Sequence, residues 1–178
     1  MRALSFLLIL LAIGLLRPDS RVERSALSER AGVLYQGQAL FTGIAVERYP
    51  TSDIFKESQY KNGLREGETR EFGVGGKRRA IWSYHQGLKD GRQVGWFLEG
   101  PKRFVQNFTK GVLNGEQVEW HQNGAVFRQQ IYANGVETEK KIFYAGSEIF
   151  TNYKIREGRQ YGIDGGPLCM ETKPEGAR

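Results

Sequence analysis

The sequence predicts an all-β protein, built as an elongated, twisted antiparallel sheet of β-hairpins that repeat about every 24 residues. A fixed period, glycines at fixed places within it and short segments free of proline lead to this prediction. The period is plainest in three consecutive blocks that begin at Tyr60, Tyr84 and Phe108. Because several columns of like residues keep one register through the blocks, the repeat is the main fact about this chain.

Each column of the repeat contains one kind of residue, and together the columns define the unit. The first aromatic is followed by glycine, an aliphatic residue, a second glycine, a second aromatic and a third glycine. The first aromatic column is Tyr60, Tyr84, Phe108 and Tyr132, and the second is Phe72, Trp96, Trp120 and Tyr144. The first two glycine columns are Gly63, Gly87, Gly111 and Gly135, and Gly43, Gly67, Gly91 and Gly115.

The glycines predict turns, because glycine adopts positive φ without steric cost. Asn123-Gly124 is the dipeptide that type I′ hairpin turns favour, so we expect such a turn there. The segments between turns have strand length and are too short for stable helices. One hairpin per unit follows. We expect the units to pair edge to edge, with both aromatic columns as ladders on one face and Trp96 and Trp120 in the core.

Composition fits one soluble domain with short extensions. The chain has 178 residues, of which 39% are hydrophobic and 26% charged, and its 23 glycines suit a protein dense in turns. Cys169 is its one cysteine, so an intramolecular disulfide cannot form. Metal, redox and hydrolase motifs such as H-x-x-x-H, C-x-x-C and G-x-S-x-G do not occur, and we therefore expect no enzyme activity and no cofactor.

The sequence divides into four parts. An apolar run after Arg2 marks residues 1–16 as a signal peptide or an uncleaved N-terminal anchor, which predicts export to the periplasm, outer envelope or exterior. Residues 17–32 are polar and are predicted to be a tether. Residues 33–164 form the repeat domain, and residues 165–178 are predicted to be a flexible tail.

The segments Tyr60-Lys-Asn-Gly63-Leu-Arg-Glu-Gly67 and Trp120-His-Gln-Asn-Gly124 resemble the bacterial variant of the MORN-type repeat, which is found in the YwqK-like antitoxin family. The resemblance covers roughly Leu34 to Gly162. It implies a non-catalytic binding protein that contacts another protein, or in some cases lipid, and it supplies no catalytic residues. With an export signal, a toxin that this chain neutralised would act outside the cytoplasm.

Two sets of residues are candidate binding sites. Trp82 lies in a column that otherwise reads Gln106 and Gln130, so the repeat does not require bulk there, and tryptophan is frequent at interface hot spots. The second set is a predicted basic stripe just after the third glycine: Lys77, Arg78, Arg79, Lys102 and Arg103.

Protein binding is the leading interpretation, and the alternative is a peripheral envelope protein whose basic stripe binds anionic lipid or glycan. The net charge of +6 favours anionic partners, although export argues against nucleic acid. The stripe could also be no more than a solvated edge that discourages aggregation of the sheet.

Overall fold

The computed structural model describes residues 20–49, 55–145 and 148–164, and in these ranges the chain is all-β with no α-helix. The predicted signal or anchor of residues 1–16 and the predicted tail of residues 165–178 lie outside the described residues. Seventeen strands occur in the described part. They are β1 Arg21–Glu23, β2 Ser28–Arg30, β3 Val33–Gln36, β4 Ala39–Leu40, β5 Gly43–Arg48, β6 Phe55–Lys61, β7 Leu64–Phe72, β8 Arg78–His85, β9 Leu88–Lys89, β10 Gly91–Trp96, β11 Lys102–Thr109, β12 Val112–Leu113, β13 Gly115–Trp120, β14 Val126–Ala133, β15 Val136–Phe143, β16 Ile149–Arg156 and β17 Arg159–Asp164.

Fourteen strands form one large sheet in the order β1-β5-β6-β7-β8-β10-β11-β13-β14-β15-β16-β17, with β9 and β12 attached to β8 and β11. All pairs in this sheet are antiparallel except β1 with β5. Strands β2, β3 and β4 make a separate small sheet. The prediction of an all-β protein with a large, mostly antiparallel sheet is confirmed.

Two-residue turns at the first glycine column connect many of the strands. Both residues of these turns have positive φ, for example 51° and 78° at Asn62-Gly63 and 50° and 85° at Lys110-Gly111, which is the type I′ geometry. The type I′ turn predicted at Asn123-Gly124 is wrong. There only Gly124 has positive φ, at 86°, and the His121 amide donates to the Ala125 carbonyl at 2.8 Å around a three-residue loop.

The two aromatic columns lie on opposite faces of the sheet, which corrects the expectation that both cover one face. Val94 pairs directly with Ile81, and Gly95 pairs with Ala80. Because side chains alternate along a strand, Trp96 lies on the face of Val94 and Ile81, whereas Trp82 lies on the other. We call the face that bears Trp82 the front face and the face that bears Trp96 the back face.

The most buried apolar cluster lies at the N-terminal end of the sheet. Leu27, Leu34, Phe41 and Ala45 are buried there, and Val22 and Tyr60 pack against them. The described part of the predicted tether is therefore folded, because Val22 and Leu27 contribute side chains to this cluster and Arg21–Glu23 pairs with β5. These contacts come from separate short segments, so they leave no periodic signal in the sequence.

The buried residues at the centre of the sheet are polar side chains together with Ala80 and Val105, and not tryptophan. Trp96 and Trp120 are half-buried, contrary to the prediction that they form the core. The column that becomes buried on the front face is Thr69, Gln93 and Gln117, at 3%, 0% and 5% exposure. A thin sheet has no second layer to cover its aromatic rings, so only positions enclosed by neighbouring strands lose contact with water.

Candidate functional site

An aromatic patch occupies the middle of the front face. The rings of Trp82 on β8 and Phe104 on β11 lie 5.4 Å apart at an angle of 34°. The Phe104 ring lies directly on Gly95, where an added Cβ would come within 2.2 Å of the ring. Strand register produces this arrangement, since Gly95 pairs with both Ala80 and Phe104. The patch is therefore positioned by the register of three neighbouring strands at the centre of the sheet.

Lys89 extends this patch. Its ammonium lies 4.6 Å from the centre of the Trp82 ring and 5.0 Å from that of Phe108, a distance at which cation–π attraction is significant. An equivalent contact occurs one unit earlier, where the Arg65 guanidinium lies 5.3 Å from the Tyr84 ring. The cation above the first aromatic therefore recurs, whereas its contact with Trp82 is specific to this unit. We define the aromatic patch as Trp82, Lys89, Phe104 and Phe108.

The patch replaces an ion pair that two other units carry at the same place, whereas in the unit before the patch Glu71 faces Ala80. Glu119 and Arg128 pair directly across β13 and β14, with a 2.5 Å contact, and Glu47 with Lys56 forms the equivalent pair across β5 and β6. Gly95 lies 24 residues before Glu119, and Phe104 lies 24 residues before Arg128, so these two residues occupy the positions of the ion pair in the preceding unit. One part of the sheet thus exchanges charge for exposed aromatic surface.

Sequence reasoning found Trp82 but missed Lys89, Gly95, Phe104 and Phe108 as its neighbours. The signal was present, since the column Glu47, Glu71, Gly95 and Glu119 contains glycine in one unit where the others have an acid. It could be interpreted only after cross-strand pairing showed that Phe104 fills the space above that glycine.

Three of the five predicted basic residues lie near Trp96, whose ring is on the back face. Lys102 is paired directly with Trp96, and the Arg78 guanidinium lies 5.9 Å from the tryptophan ring. Lys77 forms an exposed ion pair of 3.3 Å with Glu99. Lys77 and Arg78 border a shallow cleft of ≈ 390 Å³, whose other lining residues are Trp96, Phe97, Leu98, Glu99 and Gly100.

Arg79 and Arg103 occupy β-bulges. The pairing passes from Glu71 with Ala80 to Phe72 with Arg78, which leaves Arg79 as the extra residue, and Arg103 is the extra residue at the next bulge. The stem of Arg79 packs over Gly73, where an added Cβ would lie 2.7 Å from its Cδ. Arg103 is exposed.

The six predicted site residues therefore do not form one site. Trp82 belongs to the front face, whereas Arg78 and Lys102 flank Trp96 on the back face. We call Lys77, Arg78, Trp96 and Lys102 the basic cluster. It and the aromatic patch are separate candidates, and a single flat ligand cannot contact both.

A third polar group, around Glu137, serves the fold. Its carboxylate accepts hydrogen bonds from Tyr132 at 3.2 Å and from Tyr153 and Gln130. Burial alone would raise the pKa of Glu137, but the hydrogen bonds from Tyr153, Gln130 and Tyr132 and the charge of Lys140 outweigh it and lower that pKa. Burial first, and then the Glu137 charge, raises the pKa of Tyr132. A carboxylate with three hydrogen-bond donors around it stabilises the sheet and is a poor proton acceptor.

Within residues 20–49, 55–145 and 148–164, no group of three potential metal ligands comes together. A search of the same residues finds no helix with the length and apolar character needed to cross a membrane. Comparison with models of known protein families and with curated proteins finds no match to this chain.

Proposed function

We propose that this chain is an exported, non-catalytic MORN-type β-repeat module that binds another protein through the aromatic patch. The observation that carries the proposal is the exchange of an ion pair for Gly95 and Phe104 beside Trp82. Together the two changes cost the sheet one cross-strand charge pair, and the rings beside Gly95 stay half-exposed. Tryptophan and phenylalanine are enriched at protein interfaces, and a partner would cover the half-exposed rings.

The nature of the partner follows from the resemblance to YwqK-like antitoxins and from the N-terminal apolar run. We propose a toxin that acts outside the cytoplasm, which this chain neutralises by covering it. Fusion of residues 1–32 to a reporter that is active only outside the cytoplasm should give activity. A stable but inactive fusion would remove the export part of the proposal.

Photo-crosslinking in the producing cell tests the binding surface and captures the partner in the same step. A photoreactive phenylalanine analogue is placed at 82 in one strain and at 96 in another. The two positions are both half-buried and lie on opposite faces of neighbouring strands. The proposal predicts a protein adduct from position 82 and much less from position 96. Equal yields, or an adduct from 96 alone, would contradict it.

The basic cluster supports a second candidate function, the binding of anionic lipid or acidic glycan. Arg78 and Lys102 flank Trp96, and this combination of charge and ring suits a sugar or head group that carries phosphate or carboxylate. Vesicles with anionic lipid and an immobilised acidic glycan are the probes. Binding through exposed cations should weaken steeply between low and physiological salt, whereas binding through aromatic contacts should change little.

A further inference from the structure

The two ends of the large sheet differ in how their edge strands are protected. At the N-terminal end, β1 is three residues long, pairs in parallel with β5 and carries Arg21 and Glu23. Arg21 forms an ion pair with Glu57 at 3.0 Å, and Arg48 pairs with Glu23 at 3.2 Å. A short, charged edge of this kind discourages further strand pairing.

The edge strand at the opposite end is longer, and its centre is uncharged. Strand β17 is six residues long, and among the residues that the structure describes it pairs only with β16. Tyr161 and Ile163 project from the same face of β17 because they are two residues apart, and they are 55% and 59% exposed. An edge strand with exposed apolar side chains is a template for an added strand.

We propose that β17 pairs antiparallel with β17 of a second copy of this chain, which joins two sheets into one. Two-fold symmetry requires that the front face of one copy continues into the front face of the other. Paired residues must therefore come from the same face of β17, so their residue numbers are both odd or both even. In the register centred on Gly162, Tyr161 lies opposite Ile163 of the second copy, and Ile163 lies opposite its Tyr161. The dimer then contains two symmetric contacts between Tyr161 of one copy and Ile163 of the other, and these contacts cover both exposed apolar residues.

Backbone hydrogen bonding agrees with this register. The two-residue turn at Glu157-Gly158 makes Arg156 and Arg159 a hydrogen-bonded pair. Because hydrogen-bonded pairs alternate along an antiparallel ladder, the backbone groups of Tyr161 and Ile163 also bond to β16. Strand alternation leaves the backbone of Gly162 for the second copy; its φ of 124° lies outside the ordinary strand range, so Gly162 adjusts its backbone on pairing, as glycine can. Tyr161 and Ile163 fall at non-hydrogen-bonded positions, where facing side chains approach most closely.

Dimerisation is independent of the proposed function, but it affects how that function would operate. The two-fold axis stands perpendicular to the sheet where the two copies meet, so both aromatic patches belong to one continuous front face of the joined sheet. Two identical sites on one molecule increase avidity for a partner that presents repeated epitopes.

Sedimentation velocity of the full chain tests the dimer. Two six-residue strands make an interface below about 1,200 Å², the weak end of specific interfaces, so the series runs from about 1 µM to 1 mM. The wild type should pass from monomer to dimer within that range. A wild type that stays monomeric throughout overturns the proposal.

Two double variants test the register. Tyr161→Lys with Ile163→Lys places like charges opposite each other and should weaken dimerisation at least about tenfold. Tyr161→Lys with Ile163→Glu places opposite charges there and should restore it. A dimer that survives the first change, or that the second fails to restore, contradicts the proposed register.

Folding controls keep these results interpretable. Tyr161 and Ile163 are more than half exposed, so both double variants should melt near the wild-type temperature in dilute solution. Val136→Lys is the matched surface control, since Val136 is 64% exposed and lies at the start of β15, two strands from the outer edge of β17. It should leave the monomer–dimer equilibrium unchanged.

Discussion

At the scale of single residues, two buried glutamines hold neighbouring strands together. The Gln93 side chain accepts a hydrogen bond from the Ser83 amide at 2.7 Å and donates to the carbonyls of Ser83 and Gly91 at 3.1 and 3.2 Å. Gln117 repeats the arrangement on Asn107 and Gly115. Direct strand pairing between β8 and β10 is confined to Val94 and Gly95, so the side-chain amide takes the place of missing backbone bonds.

Gln93→Met tests this role. Methionine keeps the volume but leaves the Ser83 amide without its acceptor in a buried place, where an unpaired polar group costs roughly 1–3 kcal/mol, whereas the Ser83 carbonyl keeps the hydrogen bond that the Asp90 amide donates. Unfolding in urea should show a loss of about 1–3 kcal/mol. Gln122→Met, at an exposed turn residue, is the control and should stay within about 0.5 kcal/mol of wild type. Equal losses would show that the Gln93 amide contributes nothing specific.

Glu137 predicts a pH dependence of stability. Its pKa is lowered in the folded chain, so its contribution is present above the unfolded value of about 4.3 and is lost as the pH falls through the lowered folded value. Glu137→Gln has no carboxylate to protonate at position 137. Between pH 6 and pH 3, a range that brackets the unfolded pKa of about 4.3, its urea midpoint should therefore fall less than that of wild type. Glu116→Gln, at an exposed position of β13, should keep the wild-type slope. If Glu137→Gln also keeps it, the lowered pKa is wrong.

At the scale of elements, the type I′ turns place side chains other than glycine at positive φ. Gln86 and Lys110 have φ of 50°, which costs an ordinary residue roughly 1 kcal/mol. Contacts between units offset part of this cost. The Gly111 amide donates to the Lys89 carbonyl at 2.7 Å, and the Gly87 amide to that of Arg65 at 2.8 Å.

Lys110→Asn should stabilise the chain by roughly 0.5–1 kcal/mol, because asparagine tolerates this backbone conformation and Asn-Gly favours the turn. Lys110→Ala removes the same charge without that preference and serves as the matched control, so it should be neutral or destabilising. Thermal melts compare the two. If alanine stabilises the chain as much as asparagine does, backbone strain at Lys110 is not the cause.

The strands and their length were predictable from glycine spacing, since Gly63, Gly87 and Gly111 mark turns wherever they occur. The turn type at Asn123-Gly124 was not, because the dipeptide preference is overridden when strand register calls for a three-residue loop. The folding of residues 20–32 also escaped prediction, because Leu27 gains its burial from contacts with distant strands. Trp82 was identified from its column in the repeat. Its neighbours in the aromatic patch could be identified only once the register of three strands was known.

At the scale of the whole molecule, the sheet presents two open faces with different chemistry. The aromatic patch lies on the front face and the basic cluster on the back face, and the most buried apolar cluster is confined to the N-terminal end. A partner that covers one face leaves the other free. We therefore propose the front face, and not the back face, as the protein-binding face.

The most direct test compares Trp82→Ala with Trp96→Ala in binding to the protein captured from position 82. Both rings are half-buried, so each variant should lose less than the roughly 3–5 kcal/mol of a fully buried tryptophan, and their melting temperatures should be similar. Calorimetry should show binding at least about tenfold weaker for Trp82→Ala and nearly unchanged for Trp96→Ala. Binding that survives Trp82→Ala, or that is lost only with Trp96→Ala, would contradict the assignment of the front face.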